Sequence, residues 1–145
     1  MKDFEQINGS FGTLYWDGEL IAEVEAFEAK VVANREDVPM AGSLDIGSKI
    51  MSLKGEGSFK IKKVYTRGMD KMLQQWTKGI DVRSQLVGKL ADPETHRNQS
   101  ERVVINNVWF NELTLMQFEL GQKLEREFPF GFMASNVEYP DVINK

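Results

Sequence analysis

The sequence predicts a mainly β protein, an antiparallel β-sandwich or partly open barrel of about seven strands with one flanking α-helix. Three observations carry that expectation. An Asp17-Gly18 pair separates two β-rich runs; three successive segments near the carboxyl end, ERVVINNVWF, ELTLMQFELG and KLEREFPFGF, are dense in β-branched and aromatic residues; and one stretch alone reads as an amphipathic helix.

The amino-terminal run GSFGTLYWDGELIAEVEAF carries the strongest local signal. Asp-Gly favours the positive backbone angles of a type I′ hairpin turn. Leu20, Val24, Phe27 and Val31 in the second arm also fit helical spacing. The turn nevertheless fixes its direction, and Leu20, Ala22, Val24 and Ala26 alternate against Glu23 and Glu25 as in a half-buried strand.

The next stretch, ANREDVPMAGSLDIGSK, shows no clear period and is expected as a long loop, near residues 34–48. It holds Pro39, Gly42 and Gly47, yet also Val38, Met40, Leu44 and Ile46. A loop that is both apolar and irregular either docks on a neighbouring molecule or folds back over its own sheet.

Strand patterning returns at Lys49 and runs to Val64, interrupted by Gly55 and Gly57. Without a third glycine, a following helix or βαβ order, this Gly-x-Gly marks a bend, bulge or close backbone approach rather than a dinucleotide loop. In TRGMDKMLQQWTKG, Met69, Met72, Leu73 and Trp76 form one helical stripe, Thr66 is a candidate cap, and Gly79 a stop. The methionines read as core filler.

Beyond the helix, Val82, Ser84, Leu86 and Gly88 lie on one face of a strand that ends in the polar run ADPETHRNQSE. That run holds His96, the single histidine, near Asp92, Glu94 and Glu101. One histidine with loose carboxylates lacks metal-ligand spacing, so a solvated loop is expected. Three closing strands follow: Val103, Ile105 and Asn107 share a face of the first, Leu113 and Leu115 of the second, and Leu124, Arg126, Phe128, Phe130 and Phe132 of the third. Pro129, which cannot donate to a ladder, marks an edge or irregularity there.

Composition narrows the function. The chain has 145 residues, no cysteine and a net charge of −4. A single domain spanning 1–145 can bury an ordinary core at this length without disulfides or metals, and thiolate chemistry is excluded. The local basic cluster Lys60, Lys62 and Lys63 fits a solvated strand face better than a phosphate-binding surface. The start MKDFEQINGSFG has no long apolar run, so a soluble protein made in the cytoplasm, with no membrane binding, is expected. No catalytic constellation and no cofactor motif accompanies the strands, which points to assembly rather than chemistry.

Over nearly its whole length the sequence resembles the tail tube proteins of contractile phage tails and phage-tail-like bacteriocins, of the Gram-positive defective-prophage and diffocin type. The resemblance rests on GTLYWDGELIAEVEAFEA, Met40-Ala41-Gly42, GEGSFKIKKVYT, WTKG, ERVVINNVWF and LEREFPFGF, in that order. It implies a non-enzymatic virion component: a homo-oligomer of hexameric rings stacked into a tube, with each subunit adding strands to an inner barrel. It implies as partners a tail sheath protein, baseplate and tube-initiator proteins and a tape-measure protein, with DNA only in transit if the particle is a phage. The loop near 34–48 corresponds to the one such proteins use to reach their neighbours. Val38, Met40, Leu44 and Ile46 are then the candidate inter-subunit contacts. Two other classes stay open: a monomeric ligand-binding β-barrel, whose pocket residues 128–132 would line, and, with less support, a carboxylate hydrolase.

Overall fold

The computed structural model describes residues 12–21, 24–62, 69–91, 99–116, 118–122 and 125–143. These form β1 (Gly12–Trp16), β2 (Glu19–Leu20), β3 (Val24–Pro39), β4 (Ile46–Lys62), α1 (Met69–Thr77), β5 (Ser84–Leu90), β6 (Glu101–Phe110), β7 (Glu125–Phe132) and β8 (Val137–Asp141), with a 3-10 turn at Ala134–Asn136. The strands make one antiparallel sheet in the order β2-β1-β5-β6-β7-β4-β3, with β8 also on β6. Eight strands and a helix match the predicted class.

Strand β6 is where the sheet folds over. Along one edge it pairs with β5, from Leu90↔Glu101 to Ser84↔Val108. The other edge is divided: Arg102 to Ile105 pair with β8, whereas Trp109 and Phe110 pair with β7. The two halves of the sheet therefore face each other, and the core fills the space between them. Leu14, Trp16 and Leu86 come from one half, Phe59, Ile61, Phe128 and Phe130 from the other, and all are buried. Trp16 meets Phe59 and Phe128 edge-on across the gap at ring-centroid distances of 5.7 and 5.4 Å, and Phe59 stacks on Phe128 at 5.0 Å. Such aromatic pairs add specific geometry to the area they bury.

Each local signal has a physical outcome. Asp17 and Gly18 take φ of 51° and 84°, the two positive angles that a type I′ turn needs. The turn is clamped to β5: the Gln85 N–H donates to Asp17 Oδ1 at 2.8 Å, and the Asp17 N–H donates to the Gln85 carbonyl at 2.9 Å. Helix α1 ends where Gly79, at φ 79°, lets its N–H reach the Trp76 carbonyl (2.9 Å) and the Ile80 N–H reach that of Gln75 (3.0 Å). Met72 and Trp76 pack on the core, as their stripe predicts, whereas Leu73 of the same stripe is exposed. The alternation in β7 holds: Arg126, Phe128, Phe130 and Phe132 are buried, while Glu125 and Glu127 are exposed. Desolvation pushes the Arg126 guanidinium below its usual pKa.

The glycines of the predicted Gly-x-Gly mark close backbone approach. A Cβ on Gly57 would run into the Glu28 carbonyl oxygen and lie 2.6 Å from Phe130 Cζ. Gly131 likewise lies under the Trp109 indole, with Nε1 2.5 Å from where its Cβ would be.

Four expectations need correction. The expected loop near 34–48 is mostly strand: β3 and β4 pair without a break from Arg35↔Ile50 to Pro39↔Ile46, leaving a turn at 40–45. The expected strand around Leu113 and Leu115 joins no ladder among the described residues. Asn107 does not share the face of Ile105. At φ 53° it forms a bulge that places two residues of β6, Asn106 and Asn107, opposite one of β5, Gln85, so the inward positions pass from Ile105 to Val108 and Phe110. In the second arm of the first hairpin, Ile21 is buried and Leu20 half-exposed. An irregularity between Val24 and Ala26 then turns Phe27 inward, where it meets Gly88 and stacks on Phe130. Thr66, Lys63, Asp92, Glu94, His96 and Leu124 lie outside the described residues.

Candidate assembly surface

The surface begins where β4 loses one of its neighbours. From Gly55 to Lys62 the strand runs between β3 and β7, ending at the pair Gly55↔Phe132. From Ile46 to Lys54 it keeps β3 alone, so the outer parts of the two strands form a two-stranded arm beyond the sheet. At about 3.3 Å per residue those nine residues extend about 30 Å. Solvent lies on both faces of such a ribbon, which is why burial there is low throughout.

The arm is held by its own ladder, by the Arg35 Nη1 donor to Ser48 Oγ (3.2 Å), and by a compact turn. In the turn, Gly42 takes φ 75°, the Ser43 N–H donates to the Met40 carbonyl (3.3 Å), and the Asp45 N–H donates to Ser43 Oγ (3.0 Å). Gly42 suits that turn because it carries no Cβ penalty at positive φ.

All four sequence-predicted contacts gather at this tip. Val38 is paired with Gly47, Ile46 opens β4 opposite Pro39, and the Met40 sulfur lies 3.6 Å from the position of a Cβ on Gly47. Leu44 is fully solvent-exposed, and Val38, Met40 and Ile46 are exposed as well. Sequence reasoning missed the stem of the arm, where Val32, Ile50, Met51 and Leu53 are also exposed. Their signal was present: Ile50, Met51 and Leu53 put apolar side chains on both parities of one strand, which a half-buried strand does not do. Met51 is the extra residue where the register shifts between Asn34↔Ser52 and Arg35↔Ile50.

A second concavity opens between the edges of β1 and β3. This groove of about 420 Å³ is lined by Leu14, Val24, Phe27, Leu90 and Val103, with Glu25, Lys89 and Glu101 at its margin. Residues 128–132 do not line it; Phe128 and Phe130 are fully buried in the core. Among the described residues no group of three or more His, Asp or Glu gathers as metal ligands, and no helix is long and apolar enough to cross a membrane.

A family model described as phage tail tube protein matches residues 1–141. The chain is 31% identical over 133 residues, covering 91% of this chain and 90% of the relative, to the phage-like element PBSX protein XkdM of Bacillus subtilis (strain 168). Among solved structures, the tube-terminating cap of the anti-feeding prophage superposes with a TM-score of 0.69 at 7% identity, covering 94% of this chain and 92% of that one. The sheath-tube complex of the PVC extracellular contractile injection system, in its extended state, superposes with a TM-score of 0.67 at 10% identity, covering 94% and 93%. At those identities the two structures speak to the fold.

Proposed function

This chain belongs to the phage tail tube protein family, and on that premise we propose that it is the structural subunit of the inner tube of a contractile phage tail or phage-tail-like bacteriocin. Copies made in the cytoplasm associate into hexameric rings that stack into a tube with a central channel inside a sheath. Baseplate and tube-initiator proteins start the stack, a tape-measure protein sets its length, and DNA passes only in a phage.

The observation that carries this reading is the arm. Eight large hydrophobic side chains between Val32 and Leu53 are exposed on a ribbon with no cover among the described residues. Burying each from its half-exposed state is worth about 1 kcal/mol, so the arm supplies a gain on the scale of the about 4–15 kcal/mol that association costs. Val38, Met40, Leu44 and Ile46, at the tip, are the contacts that reach furthest onto the neighbour. A ring contact of this kind is cyclic and closed, whereas stacking is head-to-tail and open, so one interface sets diameter and the other permits length.

Negative-stain electron microscopy of the concentrated protein, alone and with baseplates, tests the proposal. Rings or tubes with a central channel are the expected outcome. Small uniform particles under both conditions would refute it and favour the monomeric binding barrel, whose observation is the groove between β1 and β3. In that case a hydrophobic fluorescent probe would bind the monomer in the groove.

A further inference from the structure

We propose that the acidic, apolar segment 112–120 of one copy adds as a strand to the open edge of β4, residues 46–54, of a neighbouring copy. The proposal rests on the self-association reading above and names a contact within it.

The segment is a strand pattern without a strand. Leu115, Met116, Phe118 and Leu120 are exposed, Phe118 by 73% and Leu120 by 94%. The Asn111 N–H donates to the Pro129 carbonyl (3.1 Å) and the Gln122 N–H to the Glu119 carbonyl (3.2 Å); the described residues between them join no ladder. The edge of β4 is the converse, a strand lacking a neighbour. Strand β7 leaves it at Gly55↔Phe132, and residues 46–54 keep unpaired backbone groups on that side among the described residues. An open edge of this length is a template for adding a strand from another chain.

Charge and length select the match. Across 112–120 the charged residues are Glu112 and Glu119; across 46–54 they are Lys49 and Lys54. None of the four has an ion-pair partner among the described residues. Each segment is nine residues long. Continuing the antiparallel sense of β7, a register with Glu112 opposite Lys54 sets Leu115 opposite Met51 and Phe118 opposite Ser48, up to the turn that the Glu119 carbonyl closes with Gln122. Glu119 then lies diagonal to Lys49, within reach of a long side chain.

The partner edge belongs to another copy. The segment starts at Asn111, bonded to Pro129, and is followed in the chain by β7 from Glu125; Pro129 and Glu125 pair with Ser58 and Lys62 of β4. The arm leaves β4 in the opposite direction, from Gly55 outward for about 30 Å.

Two double variants test the contact in the full chain, Glu112→Lys with Glu119→Lys and Lys49→Glu with Lys54→Glu, all at exposed positions. Assembly is followed by light scattering and electron microscopy. Turning attraction into repulsion is expected to raise the concentration at which each variant alone assembles by about tenfold or more. Mixing the two is expected to restore assembly, because alternating copies then present opposite charges at every contact. The quadruple swap, which keeps the net charge at −4, is expected to assemble like wild type. As a second measurement, the chain has no native cysteine, so Leu115→Cys and Met51→Cys chains can be mixed and treated with a short bismaleimide. A cross-linked dimer is expected, with none from a Tyr139→Cys control paired with Met51→Cys. Wild-type tubes matched by both double variants at wild-type concentration would overturn this contact and leave the self-association reading standing. Wild-type protein that stays monomeric even with baseplates would remove that reading and this contact together.

Discussion

Replacing Gly57 by alanine tests whether the sandwich is as closely packed as its glycines require. A Cβ there would overlap the Glu28 carbonyl oxygen and lie 2.6 Å from Phe130 Cζ and 3.0 Å from Ala29 Cα. Neither side can give way easily: the Phe130 ring is fully buried, and Glu28 is held in the ladder opposite Ser58. Overpacking of this kind costs about 1–3 kcal/mol, and two immobile neighbours place this site at about 3. Replacing a strand glycine by alanine returns about 0.5–1 kcal/mol of chain entropy. The net is a loss of about 2 kcal/mol, equivalent to roughly 6 °C in Tm for a chain of this size. Urea unfolding followed by fluorescence, with a thermal melt, measures both. Gly47→Ala is the internal control, because its Cβ meets only Met40 Sδ at 3.6 Å and the Val38 carbonyl at 3.7 Å. It is expected to stay within about 0.5 kcal/mol of wild type or to stabilise slightly. If Gly57→Ala also falls within about 0.5 kcal/mol with an unchanged m-value, the close packing of β4 against β3 and β7 is refuted.

Three further substitutions probe other parts of the fold. Phe128→Ala removes a ring that stacks on Phe59 and meets Trp16 and Phe110 edge-on; it is expected to cost about 3–5 kcal/mol in chemical denaturation and to weaken the near-ultraviolet circular dichroism. Asp17→Ala places alanine at φ 51° and leaves the Gln85 N–H without its carboxylate, for a loss of about 1–2 kcal/mol in urea unfolding. At the β6 bulge, Asn107→Gly is expected to stay within about 0.5 kcal/mol of wild type while Asn107→Val loses about 1–2 kcal/mol; equal stabilities would show that the positive φ of Asn107 imposes no demand.

Signals that depend on one neighbour in sequence were readable, and signals that depend on a partner strand were not. Asp17-Gly18 specified its turn, Gly79 its helix stop, and the spacing of Phe128, Phe130 and Phe132 its buried face, because each is set by local backbone geometry or a two-residue period. The bulge at Asn107 was hidden, since nothing in VVINNVWF says where the ladder slips. Strand β8 was missed: Val137–Asp141 is short, mostly exposed and contains Pro140. The arm lacked a two-residue period because neither of its faces packs on a core, so a well-paired ribbon looked like a loop. Of the candidate surface, the four tip residues were legible as apolar side chains in irregular sequence. The stem residues Val32, Ile50, Met51 and Leu53 were absorbed into ordinary strands, because exposure is a tertiary property. Leu113 and Leu115 show the opposite failure, a strand period with no partner strand in the described chain.

The bulge in β6 has a geometric consequence for any closed assembly. Three residues, 106–108, separate the part of β6 that pairs with β8 from the part that pairs with β7, and Asn107, with its positive φ, is the middle one. Among the described strands β6 is the one that pairs with both halves of the sheet, so their join lies at this short stretch. In a cyclic assembly every copy repeats the same angular error, and the errors sum around the circumference until the last junction either meets or misses. In such a circle a change at this joint would act on every junction at once, as a small error in one stave shifts the closure of a whole barrel.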